Sequence, residues 1–83
     1  MIDQEKVYTY SKKIADSKNR IFSRYGFFGL LLSHMSFAVD TQEETVSTDG
    51  VKIYFNPRFL EKLSPTETDF ILLNQVIATL NYF

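Results

Sequence analysis

Apolar positions recur along this chain at two spacings, and the switch between them marks the elements. From about Ile2 to Tyr25, the residues Val7, Tyr10, Ile14, Ile21 and Tyr25 fall at helical spacing, with Asp3 and Glu5 at the start and Arg20 and Arg24 at the end. The pattern predicts an amphipathic helix whose charges suit its dipole. Gly26 punctuates it, and Phe27 and Phe28, held between Gly26 and Gly29, are expected as core anchors in a bend or short helical turn. Met35, Phe37 and Val39 then alternate with Ser36 and Ala38. A period of two predicts a half-buried strand that begins after Leu30.

Asp40 to Glu44 is a polar loop, and Asp40, Glu43 and Glu44 lack the ligand order of a calcium loop. In TVSTDGVKIYF, Asp49-Gly50 lies between two β-prone runs and predicts a two-residue type I′ hairpin, with Val51, Ile53 and Phe55 toward the core. Asn56-Pro57 opens a short helix, because Asn caps the first amides and Pro surrenders one that has no partner. Ser64-Pro65-Thr66-Glu67 has the form of a capping box and opens a last helix from Pro65 nearly to the end, with Phe70, Leu73, Ile77 and Leu80 as its core face. The order is helix, strand, hairpin, short helix, long helix, with about three strands. This predicts an α+β fold in one small domain spanning residues 1–83.

Composition narrows the function classes. The 83 residues are 45% hydrophobic and 16% aromatic, far from the composition of disordered chains. No cysteine is present, so disulfides and thiolate metal sites are excluded, and a cytoplasmic location is expected. The acidic N-terminus is unlike a signal peptide, and the apolar run FFGLLL is too short to span a bilayer. A net charge of -1 supplies no general attraction to nucleic acid or membrane. Lys6, Lys13, Arg20 and Arg24 form a narrow stripe on the first helix, beside Tyr8 and Tyr10, and four cations on an acidic chain point to solubility more than to phosphate binding. His34, the only histidine, is expected as a partly exposed structural residue.

Together, the stretches RYGFFGLLLSHMSFAVD and STDGVKIYFNPRFLEKLSPTETDFILL and the helix that follows resemble the N-terminal part of the putative metallopeptidase domain of bacterial proteins that also carry a von Willebrand factor A-like domain. The resemblance covers roughly Arg24 to Val76 and implies a partial zincin-like fold. In that family, similar pieces precede a Leu-Leu-His-Glu-x-x-His zinc helix. With Leu72-Leu73 aligned on the family leucines, Asn74 stands at the first zinc histidine, Gln75 at the general-base glutamate and Ala78 at the second histidine. A neutral amide is a poor zinc ligand, Ala has no donor, and Gln cannot take a proton from metal-bound water. The resemblance therefore implies a degenerate zinc helix, with no metal and no catalytic residue. Asn74 and Gln75 also read simply as the polar edge of a helix.

The sequence stops within this helix, and the expectation is that the rest of such a domain, with any third ligand, lies outside it. Ile77, Leu80, Tyr82 and Phe83 then form an apolar end that needs cover, and a homodimer or another protein docked there is the expected partner. The leading functional expectation is a catalytically inactive metallopeptidase-like module that binds protein or peptide, or associates with itself, through the last helix and the open sheet edge. Two other classes remain open: a regulatory or inhibitor protein of a mobile element, and a fragment of a split zinc metallopeptidase.

Overall fold

The computed structural model describes residues 4–81, and the expectations for Ile2, Asp3, Tyr82 and Phe83 lie outside them. Its order is α1 (Gln4–Arg24), α2 (Gly26–Ser33), β1 (Ser36–Val39), β2 (Val46–Thr48), β3 (Lys52–Phe55), α3 (Pro57–Lys62) and α4 (Pro65–Leu80). The predicted α+β architecture is present, with a mixed sheet of order β1-β3-β2. β1 runs parallel to β3, pairing Phe37 with Ile53 and Val39 with Phe55, and β2 runs antiparallel, pairing Val46 with Phe55. That register puts Phe37, Val39, Val46, Ile53 and Phe55 on one face of the sheet. Ser36, Ala38, Ser47, Lys52 and Tyr54 take the other, the alternation of a half-buried sheet.

The core fills the space between the apolar sheet face and the helices. Ile21, Leu32, Met35, Ile53, Leu72 and Val76 form one buried cluster, and Ile14, Phe55 and Leu60 form another. Phe37 and Val46 pack against both and join them. Tyr10 and Phe37 each meet Phe55 edge-on, with ring centroids 5.2 and 6.4 Å away, the arrangement that aligns ring edge with ring face.

Four local expectations need correction. The stretch at Gly26–Gly29 is not a bend but the first half of the eight-residue helix α2. Gly29 lets α2 approach α1 closely, because a Cβ there would lie 2.8 Å from the backbone nitrogen of Phe22. Phe27 is 64% exposed and only Phe28 packs against the core, since a helix cannot turn two successive side chains the same way. In the hairpin, Asp49 faces Lys52 across the turn, so the two turn residues are Gly50-Val51 and not Asp49-Gly50. Gly50 alone has positive φ, 92°, which suits a Gly-first turn and leaves Val51 exposed at the tip. Asp49 instead secures the turn from its side chain, accepting from the amides of Val51 and Lys52 and from the Tyr54 hydroxyl at 2.8–2.9 Å.

The fourth correction concerns α4. Its buried residues are Thr68, Leu72, Val76 and Thr79, whereas Phe70, Ile77 and Leu80 are exposed and Leu73 is half-buried. The helix carries apolar residues on more than one side and buries two threonines, so spacing alone cannot choose its inward side. Contacts to α1 choose it. Asp69 accepts hydrogen bonds from the fully buried Ser17 Oγ at 2.5 Å and from Arg20 Nε and Nη2 at 2.8 Å each.

The predicted helix openings are present. Asn56 Oδ1 accepts from the Arg58 amide at 2.9 Å, and Ser64 and Glu67 complete a reciprocal capping box. Two members of the basic stripe on α1 serve packing: Arg20 holds Asp69, and the Lys13 ammonium donates to the Leu63 and Glu61 carbonyls at the end of α3. The acidic loop is tied down as well, with Ser47 Oγ donating to Glu43 and the Gln42 amide to Asp40. Among the described residues, no helix is long and apolar enough to cross a membrane.

Candidate functional site on the last helix

The positions of interest lie on α4, whose entry angle is set at its first turn. Ser64 Oγ accepts from the Glu67 amide at 3.1 Å, and Glu67 Oε1 accepts from the Ser64 amide at 2.9 Å. The Ser64 amide, and then its hydroxyl, hold the Glu67 carboxyl below its ordinary pKa. One turn later Asp69 is gripped by α1. Burial alone would raise its pKa, but the hydrogen bonds from Arg20 and Ser17 outweigh that, and the group stays ionised below the usual carboxylate range.

With α4 rotated in this way, about 100° per residue places Asn74 opposite the Leu72–Val76 side that faces the core. Asn74 is accordingly exposed, while Gln75 and Ala78 are half-buried on the flank of the same outer arc. The Gln75 carbonyl accepts from Thr79 Oγ1 at 2.8 Å, and that hydroxyl lies 3.6 Å from the Met35 sulfur. These bonds lock the backbone under Gln75 to the core. β2, an edge strand of the sheet, packs against α4.

The donor chemistry does not suit zinc. Asn74 and Gln75 present neutral amides, Ala78 presents none, and no cluster of three His, Cys, Asp or Glu side chains occurs among the described residues. His34 ends α2 as an exposed residue whose amide donates to the Leu31 carbonyl. No hydrolytic step can be derived through a metal on this donor set.

The outer arc is unusual for another reason. Phe70 is 64% exposed, Ile77 47% and Leu80 39%, so the expected interaction residues Ile77 and Leu80 do lie at the surface. Tyr82 and Phe83 lie outside the described residues. Phe70 was missed as a surface residue because its spacing matches the core pattern. The usable signal was that α4 carries more apolar residues than one buried face can take.

No curated protein and no solved structure matches the chain. A family model does match, over residues 9–80, and its description is putative metallopeptidase domain. The match takes in α4, with Asn74, Gln75 and Ala78, together with the sheet, the hairpin and most of α1. On that span, the chain belongs to the putative metallopeptidase domain family.

Proposed function

We propose that this chain is a non-hydrolytic member of its family that acts by binding protein or peptide through the outer face of α4 and the β2 edge beside it. One observation carries the reading: the arc where the family resemblance expects two imidazoles and a carboxylate presents Asn74, Gln75 and Ala78, flanked by exposed Phe70 and Ile77. Amides and apolar side chains make a contact surface, not a Lewis-acid site. The edge strand supports the same reading, since its backbone groups can pair with an extended segment without any metal. A second copy of the chain, or another protein, is the occupant proposed for α4, because exposed Phe70, Ile77 and Leu80 share one side of it.

Native mass spectrometry with and without zinc tests this, alongside cleavage assays on an unfolded protein substrate. The expected result is a metal-free dimer, or a metal-free monomer that forms a complex with a partner, and no zinc-dependent cleavage. One zinc per chain, or cleavage that responds to zinc, would overturn it. The variant Asn74→His/Gln75→Glu/Ala78→His checks the alignment separately: two imidazoles one turn apart should tighten zinc binding on the order of ten-fold or more over the parent.

A further inference from the structure

An open groove of about 480 Å³ lies between α1 and β1, at the edge of the sheet remote from β2. Ile14, Phe37 and Phe55 line it, with Tyr10 and Lys18 contributed by α1 and Val39 by the strand. Its volume is above the lower bound of about 300 Å³ for sites that bind small molecules. Lys18 is the one charged residue in the lining, and its ammonium lies 4.8 Å from the centroid of the Phe37 ring. The groove therefore carries a cation and no acid.

The backbone beside it is also available. β1 is an end strand, and none of the described residues pairs with its outer edge. In a parallel ladder, alternate residues turn both backbone polar groups toward the neighbouring strand. Asp40 donates its amide to the Phe55 carbonyl, so Ala38 and Ser36 belong to that inward set, and Phe37 and Val39 turn their N–H and C=O groups outward. Both residues also line the groove, together with Ser36 of the same strand. Val39 remains 41% exposed although it pairs with the buried Phe55.

We propose that this edge takes an extended acidic–apolar segment of a partner protein as a fourth strand beside β1. The backbone of the segment pairs with Phe37 and Val39. Its groove-facing side chains are apolar and rest on Phe37 and Phe55, and an Asp or Glu of the segment pairs with Lys18. The charge of the lining selects this occupant over a basic one. The site is separate from α4 and does not depend on the reading of that helix.

The probe is a capped, fluorescent octapeptide that alternates valine with threonine and carries two aspartates, followed by anisotropy and by amide chemical shifts of the full chain. Binding with shifts centred on Phe37 and Val39 is expected. Lys18→Glu should weaken it on the order of ten-fold and favour a peptide with lysines in place of the aspartates. N-methylation of alternate peptide residues, which leaves the protein untouched, should abolish binding, and Val39→Pro should do the same from the protein side. No binding at millimolar peptide, shifts on α4 or β2 instead, or an affinity unchanged by Lys18→Glu would overturn the proposal. So would a concentration-dependent dimer that Val39→Pro dissolves, which would show that a second copy occupies the edge.

Discussion

Asp69 shows how much one side chain decides here. It gathers three hydrogen bonds from two residues of α1, one of them fully buried Ser17. Removing it leaves the Ser17 hydroxyl without its acceptor and Arg20 without its ion-pair partner, so Asp69→Ala should cost about 2–3 kcal/mol in urea unfolding. The lowered pKa adds a pH signature. Because the folded state holds the carboxylate more strongly than the unfolded state, the stabilisation is fully present above the unfolded value of about 3.9 and is lost as pH falls through the lower folded value. Wild-type stability should therefore decline below about pH 4, with that part of the decline absent from Asp69→Ala. Asp49 is likewise pushed down, to about 2, by hydrogen bonds from the Lys52 and Val51 amides and the Tyr54 hydroxyl. The Asp69 partnership is not visible from spacing, since Ser17 and Asp69 are 52 residues apart.

At the scale of elements, local chemistry was legible wherever a residue type has one strong backbone preference. Asn56-Pro57 and the Ser64–Glu67 box open α3 and α4 as expected, because caps act within one turn of chain. The hairpin was legible as a hairpin, but its turn lies one residue later than expected, since the Asp49 side chain replaces backbone bonds that propensity does not count. α2 was hidden because its two glycines looked like breakers, whereas Gly29 serves the close approach to Phe22. Two substitutions separate these roles. Gly50→Ala places a side chain at φ 92° and should cost about 1 kcal/mol. Gly29→Ala forces α1 and α2 apart and should cost about 1–3 kcal/mol, with amide shifts spreading along both helices.

For the whole molecule, the question is which side of α4 belongs to the core. Leu72 is 1% exposed and Phe70 64%, though they are two residues apart on the same helix. Leu72→Ala should therefore cost about 2–5 kcal/mol. Phe70→Ser with Ile77→Ser, at exposed positions, should shift stability by only about 0.5 kcal/mol. If the outer face binds as proposed, the double variant also loses the dimer or the partner complex. A stability loss as large as that of Leu72→Ala would mean that Phe70 and Ile77 are core residues after all.

The sequence by itself determined the order of the elements other than α2, the helix openings, the α+β class and the family. Each depends on short-range spacing, on backbone preferences or on a chain-long order of motifs, all of which are written along one dimension. It also determined that the helix positions where the family resemblance places zinc ligands carry Asn74, Gln75 and Ala78. Only the tertiary structure decided which way α4 faces, because a helix with apolar residues on more than one side is oriented by its neighbours, here Ser17 and Arg20 on one side and Met35 at its far end. The same holds for the groove beside β1, where Lys18, Phe37 and Phe55 meet only after the sheet has paired and α1 has packed across it.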